Sequence, residues 1–62
     1  MKRYRFKITS RNNNSVLGTG AFTSSKEMNP TEQIDFFHQY TNGRYLNQEN
    51  FVIIEIGEEK PD

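Results

Sequence analysis

The 62-residue sequence has no cysteine and only one histidine, His38. Without cysteine the chain can form neither a disulfide bond nor a thiolate metal site, and it is compatible with a reducing compartment. A single histidine cannot supply the usual zinc ligands, so we expect no metal and no cofactor. A domain of this size buries only about 60% of its unfolded surface, which leaves self-association as the remaining source of added stability.

Long apolar runs are also missing from the sequence. The chain begins MKRYRFKI, in which charged and apolar residues alternate, so it offers neither the apolar core of a signal peptide nor a membrane span. These absences predict a soluble, cytoplasmic protein that forms a single domain over residues 1–62.

Net charge is absent as well, because eight basic residues balance eight acidic ones. The two signs are segregated along the chain: five basic residues lie within the first eleven positions, and every acidic residue lies at or after Glu27. The simplest interpretation is that the two halves attract each other across the fold. Neutrality also argues against a dedicated nucleic-acid-binding protein, whose affinity depends on neutralising phosphates.

The first part of the sequence predicts a β-hairpin. In residues 3–9, RYRFKIT, large apolar side chains alternate with cations, which is the period-two pattern of a half-buried strand. The asparagine-rich segment 10–15 suits a turn, and residues 15–23 suit the returning strand. Gly18 and Gly20 share one face of that strand, so we expect a ring or a helix to approach its backbone closely.

A helix is predicted after the hairpin, from about Pro30 to Thr41. Asn29 is placed to cap its first turn, and Glu32 three residues later completes a capping box. Proline is favoured at the first helical position, and the pair Asn42-Gly43 is a typical helix ending.

A third strand is predicted at residues 51–56, FVIIEI, followed by a frayed tail at 58–62. The predicted fold is therefore α+β in the order ββαβ, with a three-stranded antiparallel sheet in the order 2-1-3 and one helix packed on one face. This order places Glu55 and Glu58 near Arg3, Arg5 and Lys7 of the first strand. A sheet in the order 1-2-3 with a parallel pair is the alternative.

Two aromatic residues of the helix have no obvious place in the core. At 100° per residue, the inward stripe consists of Ile34, Phe37, His38 and Thr41. Phe36 and Tyr40 lie one turn apart on a flank, where we expect their rings to stack on each other and to stay partly exposed. The alternative is that helix tilt covers Tyr40 and that the loop at 44–50 folds over Phe51.

The third strand also has an apolar surplus. Val52, Ile54 and Ile56 alternate to one face, so Phe51 and Ile53 fall on the other and need cover from outside the protomer. Contiguous exposed apolar surface usually marks an interface. We therefore predict a homodimer whose interface includes Phe51, Ile53 and Phe36.

No enzyme is predicted from these residues. His38 lacks a serine or cysteine nucleophile to complete a triad, and Gly18-Thr19-Gly20 lacks the spacing and the setting of a phosphate loop. A nucleic-acid-binding accessory protein remains the alternative function, with Arg3, Arg5, Lys7 and Arg11 as the binding residues. Against this alternative, Tyr4 and Phe6 point away from the cations of the same strand, so a stacking platform for bases is missing.

The pattern Asp35-Phe36-x-x-x-Tyr40, on a helix between a hairpin and an isoleucine-rich last strand, resembles the small dimeric uracil-DNA glycosylase inhibitors of Bacillus phages. The resemblance implies a phage or mobile-element protein of ββαβ fold that mimics DNA. In such a dimer an aromatic pocket captures the apolar side chain that the enzyme inserts into DNA. Phe36 and Tyr40 would line this pocket, and Asp35 would lie at its edge.

The same resemblance implies a host protein as the partner, with uracil-DNA glycosylase as the specific candidate. The neutral charge and the missing apolar runs argue against nucleic acid or a membrane as a direct ligand. The residues that would imitate DNA phosphates are the acids Glu27, Glu32, Asp35 and Glu49.

Overall fold

The computed structural model describes residues 1–59. They form the strands β1 (Lys2–Ser10) and β2 (Val16–Ser24), the helix α1 (Pro30–Tyr40) and the strand β3 (Val52–Glu59). Both β2 and β3 pair antiparallel with β1, which gives the sheet order β2-β1-β3. The predicted ββαβ fold of class α+β is confirmed, and the alternative order with a parallel pair is wrong.

The alternation of β1 creates the core on one side of the sheet. Tyr4, Phe6 and Ile8 are buried beneath α1, whereas the cations between them point to the other side, which we call the open face. The hydroxyl oxygen of Tyr4 accepts a hydrogen bond of 2.7 Å from the backbone N–H of Met28. This bond ties the linker before α1 to the first strand, so that the helix starts over the sheet.

The glycines of β2 allow the close approach that the sequence predicts. A Cβ added at Gly20 would lie 2.5 Å from Cζ of Phe6, so the Phe6 ring rests on bare backbone. At Gly18 the nearest atom would be Cδ1 of Ile8 at 3.9 Å, which is ordinary contact. The hairpin turn uses Asn14 with a φ of 61°, a left-handed conformation that asparagine tolerates.

The helix begins and ends where the sequence predicts. The side chain of Asn29 accepts from the backbone N–H of Glu32 at 2.8 Å, and the Glu32 carboxylate accepts from the backbone N–H of Asn29 at 3.1 Å. At the other end Gly43, with a φ of 71°, donates its N–H to the carbonyl of His38 at 2.7 Å. Phe37 is fully buried and meets the Phe6 ring edge-on at 5.0 Å, which fastens α1 to β1.

Strand β3 is longer than predicted. It continues past Ile56 through Glu59, whose Cα pairs with that of Arg3, so the prediction of a frayed tail is wrong for residues 58 and 59. The physical reason is that ion pairs with β1 hold this end of the strand in addition to backbone hydrogen bonds. Residues 60–62 of the predicted tail lie outside the described range.

The predicted attraction between the basic and the acidic half is confirmed, with different partners. On the open face the Glu59 carboxylate lies 2.7 Å from Nε of Arg3 and 3.4 Å from Nη1 of Arg5. Glu58 points to the helix side, where it pairs with Lys2 at 3.3 Å and raises the pKa of that amine. The expectation that Glu58 would face the arginines is wrong because side chains alternate along β3.

No helix within residues 1–59 has both the length and the apolar composition needed to cross a membrane.

Candidate protein-binding surface

The flank of α1 that carries Phe36 and Tyr40 faces the β2 edge of the sheet. Phe36 stacks on Phe22 of β2 with ring centroids 4.9 Å apart, and Tyr40 meets the same ring at 6.0 Å. Among residues 1–59 no ring pair joins Phe36 to Tyr40, so the prediction that the two stack on each other is wrong. Instead, both contact the Phe22 ring.

These two rings differ in exposure. Phe36 is partly buried against the core, whereas 55% of Tyr40 is exposed. The alternative, in which helix tilt covers Tyr40 and the loop covers Phe51, is wrong, because 64% of Phe51 is exposed as well. In the loop after α1, Tyr45 instead packs against Phe37, with 5.9 Å between the ring centroids.

Two open cavities lie on either side of Tyr40, and together we call them the β2-side groove. The first has a volume of about 380 Å³ and is lined by Arg3, Ala21, Phe22, Thr23, Phe36 and Tyr40. The second, of about 430 Å³, includes Leu17, Gly18 and Tyr45 in its lining. Gly18 lines the second cavity, where it places no side chain between the strand and the helix.

The strand that borders this groove is an uncharged sheet edge. β2 lies at the outside of the sheet, and its nine residues, VLGTGAFTS, contain neither a charge nor a proline. The opposite edge strand β3 carries Glu55, Glu58 and Glu59. β2 has a bulge at Leu17, where its register with β1 shifts, but the stretch from Gly18 to Ser24 keeps a regular register. Since natural proteins usually block free edges with charges, prolines or bulges, this stretch of β2 is the part of the edge suited to pairing with another strand.

The four predicted phosphate mimics are not brought together. Glu32 lies one turn before Phe36 on the same line of the helix surface, whereas Asp35 is exposed about 100° around the helix from Phe36. Glu27 is exposed beside Lys2 at 3.8 Å. Glu49 lies in the loop before β3, where its carbonyl accepts from Nε of Arg11 at 2.7 Å.

The Glu32 carboxylate is the acid whose charge the fold stabilises most directly at this surface. Its pKa is lowered below the ordinary value, first by the hydrogen bond from the backbone of Asn29 and then by Lys26, whose Nζ lies at 3.0 Å. A lowered pKa means that the ionised group stabilises the fold above its ordinary pKa, and that this contribution disappears as the pH falls through the lowered value.

We therefore expect the wild type to lose stability relative to Glu32→Gln as the pH falls below about 4.5. Glutamine can accept the same capping hydrogen bond, but its side chain does not titrate. Urea unfolding of both proteins at a series of pH values between about 6 and 3 measures the difference. A difference that does not change with pH would contradict the assignment.

The residues predicted for a dimer interface lie on two sides of the molecule. Phe36 faces the β2 edge, whereas Ile53 belongs to the β3 edge and Phe51 immediately precedes that strand. Val52 is buried in the core, so alternation along β3 points Ile53 to the open face, whereas Phe51 is exposed in the turn before the strand. The two most exposed aromatic residues, Tyr40 and Phe51, thus belong to two separate surfaces.

The four cations of the alternative function lie along one face. Arg3, Arg5 and Lys7 project from β1 onto the open face, and Arg11 continues the row just beyond the strand. The backbone N–H of Arg11 donates to the carbonyl of Phe51 at 2.9 Å, which brings Phe51, a residue with an exposed side chain, to the end of this row. The sequence did not predict Phe51 beside these cations, because only the pairing of β3 with β1 brings Phe51 close to Arg11.

The single histidine of the sequence packs against the core. His38 is half-buried with its ring against Phe37 at 5.5 Å, and its Nδ1 is buried without a hydrogen-bond partner. In the part of the chain up to Glu59, no three histidine, cysteine or acidic side chains come close enough together to hold a metal ion.

No protein-family model matches this sequence, and neither a curated protein nor a solved structure matches it. The resemblance to the phage glycosylase inhibitors therefore depends on the Asp35-Phe36-x-x-x-Tyr40 pattern alone.

Proposed function

We propose that this protein is a homodimeric inhibitor that binds another protein through the β2-side groove. The observation that carries the proposal is the position of Phe36 and Tyr40, which form an aromatic flank beside a free, uncharged strand edge. Tyr40 is more than half exposed in the protomer. A large aromatic side chain beside an open apolar groove is the usual composition of a protein-binding hot spot.

The β2 edge favours a second copy of this chain as its neighbour. A two-fold axis beside β2 would pair the strand with its own copy in antiparallel orientation, and the absence of charge on β2 avoids repulsion across the axis. The pairing would extend the sheet to six strands. It would also supply the additional buried surface that so small a domain needs.

Such a dimer would create a slot between the two helices. Neighbouring strands are about 4.8 Å apart, and α1 lies close to β1 through Phe37, so the helices would be separated by roughly three strand spacings, or about 14 Å. Helices in direct contact pack at about 8–10 Å. The remaining space would be lined by Phe36 and Tyr40 of both copies, at a width that suits one inserted apolar side chain.

The specific target that we propose is uracil-DNA glycosylase, whose DNA-binding cleft the dimer would occupy. The aromatic slot would hold the apolar side chain that the enzyme inserts into DNA. Glu32, whose pKa the fold lowers and which lies one turn from Phe36, would take the place of a DNA phosphate at the edge of the slot. The inhibitor would therefore act without any chemistry of its own.

Inhibition of uracil excision tests this proposal. We expect the wild type to block a purified glycosylase at near-stoichiometric amounts, and Tyr40→Ala and Phe36→Ala to raise the required concentration by about 30-fold or more, as for a hot-spot aromatic residue. Gln39→Ala, an exposed change on the outer side of the same helix, is the matched control and should inhibit as the wild type does.

Tyr40→Ala is the more informative variant because Tyr40 is largely exposed, so its removal leaves the core intact. Circular dichroism confirms that each variant is folded, and sedimentation equilibrium reports whether the wild type is a dimer. A wild type that does not inhibit at large excess, or a folded Tyr40→Ala that inhibits equally well, contradicts the proposal.

A further inference from the structure

The open face of the sheet has the form of a shallow trough with a row of cations along its middle. Arg3, Arg5 and Lys7 follow one another on β1 at intervals of two residues, or about 7 Å. The small residues beside them come from the neighbouring strands: Thr19, Ala21 and Thr23 on β2 and Gly57 on β3. These short side chains leave an open volume of about 680 Å³ above the sheet.

One end of the row carries an aromatic ring. Arg11 is held in place from both its backbone and its side chain, since its N–H donates to the Phe51 carbonyl and its Nε to the Glu49 carbonyl. Phe51 itself is largely exposed. Surfaces that bind single-stranded nucleic acid combine two components: cations that neutralise the phosphates and an exposed aromatic ring on which a base stacks.

We propose that the open face, the side of the sheet away from α1, binds single-stranded nucleic acid. The phosphates lie along Arg3, Arg5 and Lys7, and a base stacks on Phe51 beside Arg11. The strand enters the trough over the small residues of β2, which leave room for the sugar and the bases. The pairing of β3 with β1 thus assembles a site that neither segment contains by itself.

The carboxylate of Glu59 occupies part of this site. The two oxygens of Glu59 contact Arg3 and Arg5, as a phosphate group would, and Glu55 stands opposite Lys7 in the strand register. Both arginines are mostly exposed, so these pairs are weak and can be exchanged for an incoming phosphate. Glu59 therefore acts as a competitor that limits the affinity for nucleic acid.

Fluorescence anisotropy with a labelled oligo-deoxythymidine of about 12 nucleotides tests the site, because binding sites of this kind span about 4–16 nucleotides. With three to four phosphates neutralised, the logarithm of the association constant should fall with the logarithm of salt concentration with a slope of about −2 to −3. Arg5→Gln should make this slope shallower by about 0.7, the contribution of one phosphate.

Two further variants separate the components of the site. Phe51→Ala should weaken binding by at least about fivefold with little change in the salt slope, because it removes stacking and no charge. Glu59→Gln should tighten binding several-fold, most clearly at low salt, because it frees two guanidinium groups. Arg44→Gln removes an exposed cation elsewhere and is the matched charge control, for which binding should stay within twofold or so of the wild type.

The proposal is overturned if Arg44→Gln and Arg5→Gln weaken binding equally, or if Glu59→Gln binds no more tightly than the wild type. It is also overturned if polyglutamate of equal charge displaces the oligonucleotide as well as unlabelled oligonucleotide does, since the surface would then recognise any polyanion. None of these measurements involves a glycosylase. Failure here and failure of the inhibitor proposal are therefore distinguishable.

Discussion

Phe37→Ala is expected to unfold this protein at room temperature. Phe37 is fully buried at the junction of α1 with β1, and truncating a buried phenylalanine to alanine costs about 3–5 kcal/mol. The core of a domain this small rarely supplies more than about 3–5 kcal/mol in total. The loss therefore matches the whole free energy of unfolding. Circular dichroism and the dispersion of amide resonances in an NMR spectrum measure the outcome.

Two neighbouring changes serve as controls for Phe37→Ala. Phe37→Leu preserves most of the apolar volume and should leave a folded protein with a loss of up to roughly 1.5 kcal/mol. Gln39→Ala changes an exposed position on the same helix and should have little effect on stability. A folded Phe37→Ala protein with a sharp thermal transition would mean that the contact between α1 and β1 is not what holds the fold together.

Adding one methyl group to β2 is expected to have opposite effects at its two glycines. At Gly20 the new Cβ would lie 2.5 Å from the Phe6 ring, closer than real contacts allow, so Gly20→Ala should lower the free energy of unfolding by roughly 1–2 kcal/mol. At Gly18 the nearest atom is at ordinary contact distance, and neither glycine has a positive φ. Gly18→Ala should therefore stabilise the protein by about 0.4–1 kcal/mol.

Thermal unfolding of both variants, at one protein concentration, measures this difference. For a domain of this size, 1 kcal/mol corresponds to about 4–8 °C in the melting temperature. A second mutation identifies the cause: Phe6→Leu removes the ring that the new Cβ would strike, so Gly20→Ala should cost less in that background than in the wild type. Equal costs in both backgrounds would contradict the proposed contact with Phe6.

The contact between Phe6 and Gly20 also positions the candidate binding surface. Tyr40 leans on the edge of the Phe6 ring at 5.9 Å, so the ring that fills the gap left by Gly20 also supports the exposed aromatic residue above it. A shift of Phe6 would therefore move Tyr40 and change the shape of the groove. Gly20 thus contributes to the surface through the Phe6 ring that occupies the space above its backbone.

Most of the fold could be predicted from local patterns. Alternation in residues 3–9 defines β1, the capping box at Asn29 and Glu32 defines the start of α1, and Gly43 defines its end. The end of β3 could not be predicted, because GEEKPD has a polar composition typical of a tail. Residues 57–59 pair with β1, and both this pairing and the ion pair between Glu59 and Arg3 become visible only once the register is known.

The candidate site could be predicted in part. Helix periodicity alone placed Phe36 and Tyr40 on one flank, since angles around a helix follow from residue numbers. The strand that this flank faces, and the contact of both rings with Phe22, depend on which way α1 crosses the sheet. The same is true of Phe51, which strand pairing brings beside Arg11 although forty residues of chain separate them.

The sequence by itself determined the kinds of elements, their order and the inward face of each, because these properties arise from neighbours within about one helical turn or two strand positions. Only the tertiary structure decided the β3 register, the division of the exposed aromatics between two surfaces and the occupation of Arg3 and Arg5 by Glu59. These features require residues that are distant in sequence to meet, and local periodicity carries no information about which distant residues will meet.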